Sequence, residues 1–145
     1  MTDPAQGTHP RVALFDPDER VVSSLPVCDH YCGVEARMRK SLELQGQLGP
    51  VFDVTLDNED GAPVGGEVEH AQLIADMLGS PANRFGRVGV RLLPVDHPCF
   101  TEVAATVLKA SQAPAYLMIP KSRGLADLQR SGKLVVDAGG AMVPL

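Results

Sequence analysis

Short apolar runs alternate along the chain with amphipathic stretches. Residues 24–28 read as a strand ending at Asp29-His30. Residues 33–45 then read as a helix, because Val34, Met38 and Leu42 recur at four-residue spacing on one stripe. The second strand is predicted over 51–56, where Val, Phe and Thr favour a pleated, half-buried surface. It ends in Asp57-Asn58-Glu59-Asp60-Gly61. Gly65-Gly66 leads into a helix over 67–78, with Val68, Ala71, Ile74, Ala75 and Leu78 on one face. Glu67 and Glu69 suit the positive end of its dipole. A third strand follows at 88–93. Phe100, Val103, Ala104, Val107 and Leu108 then give the cleanest helical period in the chain. A fourth strand at 115–119 is stopped by Pro120, and a shorter helix is predicted over 123–131.

Strand and helix thus alternate four times, which implies right-handed βαβ units and a parallel sheet of the α/β class. Strands two and four read as nearly continuous apolar runs, as for strands covered on both faces. The 145 residues suit one domain. Residues 1–23 are expected to be a loosely ordered lead-in, with Val12–Phe15 available to dock, and 24–145 the folded unit.

Charge narrows the partners. Lys and Arg number 13 against 18 Asp and Glu, for a formal net charge of −5. No basic cluster exceeds Arg37-Met38-Arg39-Lys40, so a phosphate-tracking surface and a nucleic-acid partner are not expected. Four Phe, two Tyr and no Trp leave little for base stacking. The cysteines Cys28, Cys32 and Cys99 are odd in number and fit no common zinc spacing, even with His30 and His97 nearby. Free thiols point to a cytoplasmic setting. No leader pattern and no long apolar run is seen, so no membrane partner is expected.

Ligands of parallel α/β folds bind at the carboxyl ends of the strands. There the chain places Asp29 and His30, then Asp57, Glu59 and Asp60, then Arg91, then Lys121. Asp29 or His30 can simply cap the next helix. The three carboxylates after a buried strand suggest a site that holds cations or water or orients a basic side chain. Arg91 can pair structurally or grip carboxylate or phosphate oxygens bidentately. Lys121 has a plain reading as a surface lysine. His70, mid-helix, reads as a surface or packing residue. Gly65-Gly66 lacks the Lys-Ser/Thr of a P-loop.

Residues 51–63, Val-Phe-Asp-Val-Thr-Leu-Asp57-Asn58-Glu59-Asp60-Gly-Ala-Pro63, resemble the second-strand signature of the HpcH/HpaI aldolase and citrate lyase β-subunit superfamily. Asn58 stands where that signature usually has Leu. Val88-Gly-Val-Arg91 and Tyr116-Leu-Met-Ile-Pro120-Lys121 resemble the Val-Arg and Leu-Pro-Lys strands of the same superfamily. Residues 28–45 also resemble one branch of citrate-lyase-like proteins.

The resemblance implies a TIM barrel that makes or cleaves a carbon–carbon bond in a 3-hydroxy acid or its CoA thioester, with Mg²⁺. It implies catalytic roles for Arg91, Glu59 and Asp60, and substrate contacts for Arg91, Asp57 and Lys121. It further implies a small-molecule substrate and a homo-oligomer. The superfamily's two direct metal carboxylates lie on later strands, beyond Leu145, and a complete (β/α)₈ barrel takes ~250 residues. The expectation is therefore the first half of a TIM-barrel-like fold, about four βα units, inactive alone and with two raw sheet edges. The alternative is a flavodoxin-like signalling or binding domain. Against it, Arg91 stands where a receiver's phosphoacceptor Asp would end strand three, and Asp29 is followed by His30 rather than a second acid.

Overall fold

A computed structural model of the chain describes residues 29–145. The expected lead-in over 1–23 and the strand predicted at 24–28 lie outside these residues. The elements run β1 (Asp29–Cys32), α1 (Glu35–Leu48), β2 (Asp53–Asp57), α2 (Glu67–Leu78), β3 (Val88–Arg91), α3 (Phe100–Leu108), β4 (Leu117–Met118) and α4 (Leu125–Asp137). α2 and α3 fall where their apolar periods predict.

The four strands are parallel and lie in the order β1-β2-β3-β4. A doubly wound sheet of flavodoxin type reverses its strand order at a switch point. The sequential order found here does not, which corrects the flavodoxin-like alternative. Alternating βα units with neighbouring strands in chain order build a partial TIM-barrel-like sheet.

One apolar cluster joins the helices to one face of the sheet. Val54 and Leu56 of β2, Val88 and Val90 of β3 and Leu117 of β4 meet Met38 and Leu42 of α1, Ile74 and Leu78 of α2, and Phe100 and Val103 of α3. Phe100, Met38 and Leu56 are among the largest fully buried side chains. Burial of a side chain of this size contributes roughly 1.5–3 kcal/mol, so this layer is the main source of stability.

The other face is polar, which corrects the reading of β2 as covered by apolar matter on both sides. Asp53, Thr55 and Asp57 alternate with Val54 and Leu56, and the polar three face away from the helices. The Thr55 hydroxyl donates to Asp29 at 2.6 Å and lies 2.7 Å from the Tyr116 hydroxyl. Arg87 pairs with Asp53 at 2.7 Å. Gly89 gives Tyr116 its place, because a Cβ there would come within 2.1–2.5 Å of the ring.

Most other boundaries differ from the sequence reading: the first helix runs to Leu48 rather than 45, β2 spans Asp53–Asp57 rather than 51–56, β3 stops at Arg91 rather than 93, and β4 is Leu117–Met118 rather than 115–119. Asp29 and His30 lie inside β1, paired with Asp53 and Val54, so they do not end a strand. They do not cap α1 either, whose N-cap Val34 makes no side-chain cap bond. His30 turns toward α1, with Nδ1 2.6 Å from the Ser41 hydroxyl. α4 runs to Asp137, past the predicted end at 131, because Leu134 and Val135 continue its packed face across Gly132. Beyond α4 the chain returns to the sheet, where the Leu117 amide donates to the Pro144 carbonyl at 2.8 Å.

Candidate functional site

The carboxyl ends of β2 and β3 bring the charged residues together. Asp57, last in β2, is the register partner of Arg91, last in β3. The Asn58 amide donates to the Arg91 carbonyl at 2.9 Å and extends this pairing by one step. The Asn58 side chain is fully buried and its Nδ2 donates to the Glu67 carbonyl, so it ties the loop to the start of α2.

Asp57 uses both carboxylate oxygens. Oδ1 accepts the backbone amides of Glu59 at 2.9 Å and Asp60 at 3.4 Å, and so folds the acidic loop back over the strand end. Oδ2 takes Arg91 Nη1 at 3.1 Å. The same Nη1 reaches Asp60 Oδ2 at 2.8 Å. Arg91 Nη2 pairs with Glu59 Oε2, and Lys121 Nζ pairs with Glu59 Oε1. All five expected site residues therefore meet in one ion cluster: three carboxylates and two cations.

The carboxylates differ in exposure. The Glu59 side chain is 6% exposed and that of Asp60 67%. Glu59 is thus an inner bridge between guanidinium and ammonium, while Asp60 closes the cluster from solvent. Lys121 reaches Glu59 from a left-handed backbone (φ 53°), a conformation that costs a non-glycine residue roughly 1–2 kcal/mol. Its place in the cluster replaces the plain surface-lysine reading.

These contacts set the electrostatics. Burial works against the Arg91 charge, but the hydrogen bond to Asp60 and the attraction of Asp57 and Glu59 outweigh it, so its pKa is raised. The hydrogen bond from Arg91 lowers the Asp60 pKa. Glu59 raises that of Lys121. Arg91, Lys121 and Asp60 are thus each held more firmly in the charged form.

Tyr31 is a site residue that the sequence reading missed. It stands one position before the end of β1, and the Arg91 guanidinium lies 6.0 Å from its ring centroid. Its hydroxyl donates to Met118 Sδ. Burial raises the Tyr31 pKa, and Arg91 opposes the rise. Beside it is a cleft of about 230 Å³ whose lining includes Tyr31, Gly33, Arg37, Asp57, Asp60 and Gly61. Two backbones touch at its wall: a Cβ on Gly33 would sit 2.4 Å from the Gly61 Cα. Only glycine at both positions lets the β1–α1 and β2–α2 loops approach this closely.

The remaining candidates have structural places. His70 is buried, with Nε2 3.3 Å from the Asp57 carbonyl, so it packs as expected and buttresses the end of β2. His97 Nδ1 accepts the Cys99 backbone amide, which is a turn contact rather than a thiol–imidazole pair. Cys32 is buried and Cys99 partly buried, both as free thiols.

The carboxylates do not fit a resident Mg²⁺ by themselves. Each already faces Arg91 or Lys121, and no group of three or more His, Cys, Asp or Glu among the described residues is arranged to hold a metal. Among the described residues no helix is long and apolar enough to cross a membrane.

No protein-family model and no curated protein matches the chain. Among solved structures, the chain is similar to a citrate lyase from Burkholderia xenovorans. The two share 48% identity with a TM-score of 0.77, over 83% of this chain and 39% of that one. The chain thus spans about two-fifths of the length of that citrate lyase.

Proposed function

We propose that the chain carries part of a carbon–carbon lyase or aldolase-type site. The substrate would be a 3-hydroxy acid or its CoA thioester, and the setting a cytoplasmic homo-oligomer of HpcH/HpaI and citrate-lyase type. One observation carries this reading. Arg91 is fixed by Asp57 and Glu59 at the carboxyl end of a sequential parallel sheet that is similar to a citrate lyase.

In this reading Arg91 grips carboxylate or acyl oxygens with its planar fork and stabilises negative charge as the bond breaks. Glu59 holds Arg91 and Lys121 in fixed relation, so neither needs to reorganise during the reaction. Asp57 aims the guanidinium from the strand end. Mg²⁺ belongs to the proposal as a Lewis acid for the substrate oxygens. Its carboxylate ligands are not Asp57, Glu59 and Asp60 alone. We assign the activity to a complete barrel, of which these four βα units are a part that is inactive by itself.

A segment exchange tests the reading. The matching part of the Burkholderia citrate lyase is replaced by this chain, and folding is checked by circular dichroism. The chimera should cleave a citryl or malyl substrate, and Arg91→Lys should lower that turnover more than tenfold. A folded chimera without cleavage, or one indifferent to Arg91→Lys, overturns it.

A further inference from the structure

Arg91 carries three carboxylates, and they are not held alike. Asp57 is tied to two backbone amides besides Arg91. Glu59 is buried between two cations. Asp60 stands in solvent, and its carboxylate faces Arg91 Nη1 at 2.8 Å. An ion pair this exposed is weak, whereas breaking an inner one leaves an uncompensated charge. The cleft of about 230 Å³ is lined by Tyr31, Asp57 and Asp60 but not by Arg91, whose guanidinium is bonded to both of these carboxylates. A ligand in the cleft therefore reaches it only by moving one of them, and Asp60 is the more exposed.

We propose that the Asp60 carboxylate is an exchangeable stand-in for a ligand carboxylate, held on Arg91 until a small dicarboxylate enters the cleft and displaces it. The inference rests on Arg91 as the substrate-binding group and adds a specificity role for Asp60. Exchange swaps one carboxylate on Nη1 for another of the same geometry, while Asp57 and Glu59 keep the guanidinium in place. Arg37 gives the ligand its second anchor. It lines the same cleft, and no ion pair engages it among the described residues. The affinity of the empty site is lowered by the fraction of molecules in which Asp60 occupies it.

Malonate, a small and stable dicarboxylate, serves as the probe. Its binding to the chain is measured by calorimetry for the wild type, Asp60→Asn and Arg91→Gln. Asparagine keeps the side-chain shape without the charge that holds it on Arg91. Asp60→Asn should bind malonate at least fivefold more tightly than wild type, and Arg91→Gln at least tenfold more weakly. If Asp60→Asn is unchanged or weaker while Arg91→Gln still loses binding, the exchange is wrong and Arg91 keeps its role. If Arg91→Gln binds like wild type, or if neither wild type nor Asp60→Asn binds, the inference fails together with the Arg91 reading.

Discussion

Asp57 and Arg91 are register partners across β2 and β3, and their side chains meet at 3.1 Å just where the two strands end. The ladder itself sets this ion pair, so it is built into the fold as well as into the site. Asp57→Asn should therefore lower stability by about 2 kcal/mol, the usual worth of a hydrogen bond to a charged group. Asp60→Asn should lower the denaturation midpoint far less, because its carboxylate stands in solvent and an exposed ion pair is weak. Chemical denaturation of both variants measures the contrast.

The two tyrosines give a pH test. Burial pushes the Tyr116 pKa up to about 12, against the hydrogen bond with Thr55, with Asp29 and Asp53 adding to the rise. A free tyrosine titrates near 10. The folded state thus favours the neutral phenol, so this stabilisation is complete below about pH 10. It is lost as pH rises from there through about 12. The chain has two Tyr and no Trp, so tyrosinate absorbance reads them cleanly. Both should titrate above 10, one near 12, and Tyr116→Phe should remove that later step.

Gly33→Ala should force the two loops apart. The added methyl would lie 2.4 Å from the Gly61 Cα, which is backbone and cannot rotate away. The expected cost is about 1–3 kcal/mol, typical of overpacking. Thermal unfolding measures it, and the ring shifts of Tyr31 by NMR should change with it.

Mg²⁺ added to this chain should bind weakly or not at all. Each carboxylate of the cluster is already paired with a cation, so the metal would have to displace Arg91 or Lys121. Calorimetry with Mg²⁺ should give no saturable heat up to about millimolar concentration, the range of weak cation sites. A micromolar site would show that the cluster opens to take a metal.

The sequence showed the helices and the charged residues better than the strand boundaries. The apolar periods of α2 and α3 are local signals repeated over several turns, and their ends were legible. Asp57, Glu59, Asp60, Arg91 and Lys121 were also legible, because each follows a short apolar run and parallel strands gather such ends on one rim. The extent of β1 was not. Four residues carry little periodicity, and their pairing with Asp53–Leu56 is a long-range fact. The polar face of β2 was hidden for a related reason. Val51 and Phe52 lengthen the apolar run in the sequence, yet Val51 is half exposed in a bend before the strand. Tyr31 and Arg37 were missed because nothing local marks them; contact with Arg91 and the shared cleft single them out.

The Pro144 carbonyl on the Leu117 amide has a consequence for how the sheet meets other chains. An exposed edge strand recruits foreign strands by offering paired donors and acceptors. At Leu117 the donor is already taken, and by a proline, which has no N–H to hand the ladder onward. The edge expected to be raw is therefore partly blunted. A strand seeking to add itself beside β4 must first displace a residue that can accept a hydrogen bond but never return one.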